Sequence, residues 1–341
     1  MKSVAIKDVK KLEIKEIEEP ISEPGKIIIE VKSNGICGSD IHNWEMGAPL
    51  GLVMGHEFAG TVIDNGNSEN FKVGDRVTAL PISPCGKCEA CEYGNVQFCP
   101  STWTHAVGLS LENPGGLTSK ISVREDMVVK VPDNVSCEEA SMVEPAAVGL
   151  HAIHLADIKV GDKVLVVGGG IIGLMSALFA KKEGASFVAL SETNESRGKK
   201  AVELSVADEW YDAKDQNIVP KLLDITSGGF DVIIECCGNA PAVSSALTLV
   251  KPGGKVILVG VSPVPITIPT VLQVMKELTV IGSIAYTKDE FKTCLELLES
   301  KQLDVKKFIS KTIGLEEVQD AFVELTNGVT DSIKILVDSS K

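Results

Sequence analysis

Two groups of residues have the types and spacing for metal chemistry. Cys85, Cys88, Cys91 and Cys99 offer four soft donors within 15 residues. Four thiolates around Zn²⁺ make a closed tetrahedral site with no position left for a substrate, so such a site staples a loop and does no chemistry. Four reduced, unligated thiols at this density would be open to oxidation. The second group is spread over Cys37-Gly38-Ser39-Asp40-Ile41-His42, Gly55-His56-Glu57 and Met142-Val143-Glu144-Pro145. One thiolate, one imidazole and a carboxylate, with room for water, is the composition of an open zinc site. Ser136 and Glu139 have capping-box spacing and predict a helix start. Pro145 disfavours helical geometry at Glu144, which places that carboxylate at a break in the backbone.

A third signal is a glycine turn. Val164-Leu165-Val166-Val167 runs into Gly168-Gly169-Gly170-Ile171-Ile172-Gly173, a G-x-G-x-x-G pattern between a strand and a helix. Gly168, Gly170 and Gly173 let the backbone approach a pyrophosphate, and the helix opening at Ile171 and Ile172 turns its positive end toward that anion. A second strand at Phe187 ends in Glu192, 24 residues beyond Gly168. A carboxylate there accepts both ribose hydroxyls of NAD and repels the 2′-phosphate of NADP. Ser191 could bond a phosphate and Arg197 lies within reach of the same ribose, so NAD is favoured and NADP is not excluded.

The elements that must carry these residues change character along the chain. Short β-rich runs such as Ile27–Val31 and Phe58–Ile63, with turns at Asn65-Gly66 and Gly74-Asp75, make the first part a β-rich unit. From about Val160, candidate strands at Lys163–Val167, Phe187–Ser191, Glu209–Tyr211, Asp231–Glu235, Lys255–Gly260 and Leu278–Ile281 alternate with helix-length intervals. That alternation predicts an α/β fold with a doubly wound parallel sheet. A helix is expected over Asp289–Ser300, and the strand-like Ile333–Val337 is too short for a domain and is expected to pack back on the first unit.

The chain has 341 residues, 33 Lys+Arg and 47 Asp+Glu, and a formal charge of −14. Nucleic acid and an anionic membrane are therefore excluded as main partners. The charge-free stretch Val164 to Ala180 has 17 residues and contains the glycine turn, so it reads as strand, turn and helix rather than a membrane span. Charge also appears too early in Met1–Asp8 for a secretory signal. A cytoplasmic, reducing location is expected, where nine cysteines favour metal ligation over disulfides.

Over nearly its whole length the chain resembles the zinc-dependent medium-chain alcohol dehydrogenases. The cysteine spacing matches their structural-zinc lobe, and Cys37-Gly38-Ser39-Asp40 and Gly55-His56-Glu57 look like their catalytic-zinc motifs. Glu144-Pro145 and Gly149-Leu150-His151-Ala152 are similar to the sorbitol and other polyol dehydrogenases. Ser191-Glu192 and Gly282-Ser283-Ile284-Ala285-Tyr286-Thr287 look most like the 2,3-butanediol dehydrogenases. The resemblance implies a β-rich GroES-like catalytic domain (1–146 and 283–341, with the lobe at about 85–99) and a Rossmann domain (147–282). It implies catalytic zinc on Cys37 and His56, with Glu57 and Glu144 sharing the remaining contact directly or through water, and Asp40 orienting His56. The expected reaction is interconversion of a secondary alcohol, a diol or polyol, and its ketone with NAD. Ser39 would take the proton and His42 would release it near solvent.

The segment between His42 and His56 is shorter than in typical polyol dehydrogenases. Gly115-Gly116-Leu117-Thr118-Ser119-Lys120 also stands where the family has an aromatic-rich stretch. Both bear on the substrate and neither on the metal. A threonine-type or phosphorylated-polyol dehydrogenase is the alternative, and a non-catalytic NAD-binding protein a weaker one. A homodimer or homotetramer is expected, with the Lys255–Ile281 region supplying an edge for pairing.

Overall fold

The structure is a computed structural model that describes residues 1–327 and 330–341. The chain divides into two compact units, Met1–Glu144 with Thr287–Lys341, and Pro145–Tyr286. In chain order the first unit opens with β1 (Lys2–Asp8), β2 (Lys11–Glu16), β3 (Lys26–Gly35), α1 (Gly38–Met46), β4 (Glu57–Asp64) and β5 (Arg76–Ala79). It continues through α2 (Glu89–Glu92), β6 (Lys120–Arg124), β7 (Val128–Lys130) and α3 (Cys137–Ser141) into the start of α4 (Val143–Ala156).

The second unit alternates β8 (Lys163–Val167), α5 (Ile171–Lys182), β9 (Phe187–Glu192), α6 (Glu195–Glu203), β10 (Glu209–Asp212) and α7 (Ile218–Thr226). It then adds β11 (Phe230–Glu235), α8 (Ala240–Leu249), β12 (Val250–Leu258), α9 (Thr270–Lys276) and β13 (Thr279–Gly282). The chain returns to the first unit with α10 (Lys288–Glu299), β14 (Ile309–Ile313), α11 (Val318–Thr326) and β15 (Lys334–Val337).

The second unit is built on a six-stranded sheet in the order β10-β9-β8-β11-β12-β13, with every pair parallel. The order reverses between β8 and β11, the switch point of a doubly wound fold, where ligands bind beyond the strand C-termini. Val164, Leu165 and Val166 are fully buried, as expected for a strand covered on both faces. The expected strands all form. β12 starts earlier than expected because Val250 already pairs with Phe230, and Lys251-Pro252-Gly253-Gly254 bulges out before Lys255 pairs with Val232.

In the first unit the sheet order is β14-β15-β3-β4-β5-β7, with β6 also pairing β3, beside the β1-β2 hairpin. The returning tail therefore does pack on the N-terminal strands: β15 runs antiparallel to β3, with Val337 opposite Asn34. Helix α1 is held against the same return segment, where Trp44 meets Phe322 of α11 edge-on at 5.7 Å. Among the described residues no helix is long and apolar enough to cross a membrane.

Candidate functional site

Cys37 is the N-cap of α1, and Asp40 closes that turn by accepting a hydrogen bond from the Cys37 backbone N–H at 3.0 Å. The other oxygen of the same buried carboxylate, Oδ1, faces His56 Nδ1 at 3.5 Å. His56 and Glu57 sit where the chain enters β4, and Glu57 is opposite Gly35 of β3. A Cβ on residue 35 would lie 2.0 Å from Glu57 Oε2, so only glycine leaves room for the carboxylate. The Ser39 hydroxyl stands 3.3 Å from Cys37 Sγ and 3.4 Å from His56 Nε2.

The donor atoms of Cys37, His56 and Glu57 thus lie within 4.8 Å of one another. Bonds of about 2.0–2.3 Å from N, O and S to zinc would span such a group. Burial alone would lower the His56 pKa, but the Asp40 carboxylate and the Cys37 sulfur hold it well above the usual range. With Nε2 beside the sulfur and Nδ1 facing Asp40, the ring is oriented as a metal ligand supported by a carboxylate. Buried His56 Nδ1 and Asp40 Oδ1 lack hydrogen-bond partners. Their close facing suits an imidazole drawn tighter by a cation on its far side.

Glu144 is not part of this group of donors. Its backbone also differs from expectation: Glu144 and Pro145 are both in the first turn of α4, and the interruption falls two residues before Glu144, at Met142. A proline in the first turn gives up an N–H that has no intrahelical partner anyway, so the helix continues through it. The capping box forms as expected, with the Ser136 and Glu139 side chains each bonding the other's backbone N–H. His42 is exposed on α1, one turn after Ser39.

Cys85, Cys88, Cys91 and Cys99 also converge, their sulfurs within 4.8 Å of one another. All nine cysteines are free thiols. Burial opposes ionisation of Cys99, but the Cys85 N–H and Ser101 hold its thiol down to about 5. Cys88, despite an N–H donor at Cys91, is pushed up to about 11 by burial and by its thiol neighbours. The Lys87 N–H also holds the Cys85 thiol below the ordinary range, so the group favours thiolate on part of its sulfurs, as suits donors to a divalent cation.

In the second unit, Gly168–Gly170 forms the turn between β8 and α5, Gly170 is the N-cap, and Gly173 lies in the first turn of the helix. A Cβ on Gly173 would lie 1.9 Å from the Gly168 carbonyl oxygen, so the third glycine is what lets helix and turn pack. Ile171 and Ile172 open the helix, whose first N–H groups have no intrahelical acceptor. Glu192 ends β9, and its Oε2 accepts from the Gly169 N–H at 2.5 Å while Oε1 accepts from the Asn194 N–H at 2.8 Å. Glu192 lines a cavity with Gly168, Ser191, Thr193, Cys237 and Asn239. Arg197 is not among the cavity-lining residues. It lies in the first turn of α6, its N–H bonded to Asn194, with a buried Nε that has no partner.

Sequence reasoning missed Lys334. It begins β15 and is 1 % exposed, and its ammonium donates to Glu57 Oε1 at 2.8 Å, Glu57 Oε2 at 2.6 Å and the Ile36 carbonyl at 2.8 Å. Burial would lower its pKa, yet Glu57, and beyond it Cys37 and Glu144, raise it above the ordinary lysine value. The signal was a single charged residue inside the apolar run Ile333–Val337. Lys334→Met keeps the side-chain stem but leaves the Glu57 carboxylate buried without its cation. It is expected to destabilise the first unit by about 3–5 kcal/mol, read as a fall in thermal midpoint, with part recovered in the Lys334→Met/Glu57→Gln pair. An unchanged midpoint would show that the pair contributes nothing net.

Known proteins are similar to this chain over nearly its whole length. Residues 23–133 match the alcohol dehydrogenase GroES-like domain and residues 172–300 the zinc-binding dehydrogenase domain. The chain is 30% identical to a sorbitol dehydrogenase of Bacillus subtilis, covering 99% of this chain and 97% of that protein. It is 33% identical to an L-threonine 3-dehydrogenase of Rhizobium johnstonii, covering 94% and 93%. It also superposes on the crystal structure of 2R,3R-butanediol dehydrogenase from Bacillus subtilis with a TM-score of 0.87 and 33% identity, covering 99% of each chain. The chain is an oxidoreductase, and it belongs to the zinc-dependent medium-chain alcohol dehydrogenases, in their polyol dehydrogenase branch.

Proposed function

We propose that this enzyme interconverts the secondary alcohol of a diol or polyol and the corresponding ketone, with NAD as the hydride acceptor. The convergence of Cys37, His56 and Glu57 carries the reading, because it joins residues from two separate segments into one open donor set. When bound, zinc supplies Lewis acidity to the alcohol oxygen, and NAD supplies the redox chemistry. Cys37 and His56 hold the metal, Glu57 stands as the third protein donor, and Asp40 fixes the His56 ring. Glu144, whose charge reaches Lys334, is the carboxylate that can trade places with Glu57.

Ser39 accepts the alcohol proton beside the sulfur and the imidazole. His42 follows at i+3 on the same face of α1 and is exposed, which suits the exit of that proton to solvent. Cys37→Ser is expected to lower zinc content from about two to about one per chain and to abolish turnover while NADH still binds. Full activity in that variant would refute the metal assignment.

NAD is favoured over NADP because Glu192 puts a carboxylate, fixed by two backbone N–H groups, at the cavity rim. Relatives named for sorbitol and 2R,3R-butanediol support the substrate class. The relative named for L-threonine supports an amino-alcohol substrate as the second reading. A phosphorylated polyol is less favoured, since Lys120 is paired with Glu19 and Lys288 with the Asp126 carbonyl. Initial rates with NAD and NADP across butanediol, sorbitol, threonine and a sugar-alcohol phosphate decide among these. Higher kcat/KM for a diol or polyol with NAD is expected, and a preference for threonine or for NADP would overturn the corresponding choice.

The free cysteines fit a reducing cytoplasm. The assembly proposed is a homodimer or homotetramer in which β13 pairs with its copy. β13 is an open edge of the six-stranded sheet, and Val264, Val271, Val274 and Met275 near it are 64–78% exposed. An uncovered edge beside so much apolar surface is satisfied by an antiparallel copy of itself. Light scattering is expected to give a dimer or tetramer mass, and a monomer at micromolar concentration would contradict it.

A further inference from the structure

Glu235 ends β11, the strand next to β8 at the switch point, and it is fully buried. Its side chain turns back on the following loop: Oε1 accepts from the Cys237 N–H at 2.7 Å and from the Gly238 N–H at 2.9 Å. Its carbonyl oxygen accepts from the Val259 N–H at 2.8 Å and the Gly260 N–H at 3.0 Å, beyond the end of β12. One residue therefore collects donors from both loops. The loops touch backbone to backbone, for a Cβ on Gly260 would lie 2.1 Å from the Gly238 nitrogen. The first of these loops supplies Cys237 and Asn239 to the cavity that Gly168 and Glu192 also line.

We propose that Glu235 is a positioning residue for the dinucleotide, holding the Cys236–Asn239 loop at the height that shapes the adenosine side of the cavity. It is not among the residues lining the cavity, and the inference rests on reading that cavity as the cofactor's. Its second oxygen, Oε2, is buried without a hydrogen-bond partner, so the function resides in Oε1 as an acceptor and not in a charge pair. Burial, against the two N–H donors, holds the carboxyl above its usual range, in keeping with that role. Glutamine offers the same carbonyl acceptor, whereas methionine fills the volume and accepts almost nothing.

The test is NADH and NADPH binding by fluorescence together with steady-state kinetics. Glu235→Gln is expected to bind within about twofold of wild type. Glu235→Met is expected to raise Kd and the cofactor KM about tenfold, the equivalent of two lost loop hydrogen bonds. At saturating cofactor its kcat and zinc content are expected to stay close to wild type, a split that general destabilisation does not produce. Wild-type affinity in folded Glu235→Met would overturn the role of Glu235, and so would equal losses in kcat and zinc. Failure of the unmodified protein to bind either dinucleotide would overturn the cavity reading beneath it. Amide hydrogen exchange on wild type adds a readout independent of any variant. The Cys237 and Gly238 amides are expected to be protected like those of β11, and exchange at open-loop rates would overturn the clasp.

Discussion

The buried pair of Glu57 and Lys334 is the interaction on which the first unit depends. Lys334 grips the Glu57 carboxylate and the Ile36 carbonyl at the same time. Ile36 is followed directly by Cys37, and Glu57 is preceded directly by His56, so one ammonium fixes both segments that bring the Cys37, His56 and Glu57 donor atoms together. The arrangement works only when complete, because either charge left alone in that interior would be strongly unfavourable. Gly35 belongs to the same constraint, since its missing side chain is the space the carboxylate occupies.

The two metal groups differ in what holds them. The four-cysteine lobe is local: its donors come from one short stretch with turns and little core, and a cation there stands in for missing hydrophobic packing. The Cys37–His56–Glu57 group is assembled by the fold, on an N-cap, a strand entry and a residue from the returning tail. Its precision comes from β3, β4 and β15 and from α1 anchored by Trp44 on Phe322. The local group can staple, and the assembled group can leave room for a substrate.

Much of this was readable from residue order. Cysteine spacing identified the lobe, and the strand before Gly168 and the acid at Glu192 gave the glycine turn its context. Apolar runs located the inner strands of the parallel sheet, because strands buried on both faces leave continuous signals, whereas the edge strands β10 and β13 are only partly buried and followed from the alternation with helix-length intervals. Lys334 escaped because its partner lies 277 positions away, and no local pattern encodes such a contact. Glu144 was misjudged at the backbone level for a different reason. The rule that a residue before proline avoids the helix weakens in a first turn, where the interruption had already occurred at Met142.

The order in which the units are written into the chain has a consequence for biosynthesis. Pro145–Tyr286 is an uninterrupted stretch, whereas the first unit is completed only by Thr287–Lys341. On the ribosome the parallel sheet is therefore finished first, while Glu57 waits for an ammonium still to be translated. Until Lys334 emerges, β3 lacks its β15 neighbour and the carboxylate stays hydrated. Assembly of the Cys37–His56–Glu57 group is thereby deferred until the tail has docked, whereas the four cysteines of the lobe have all been translated by Cys99.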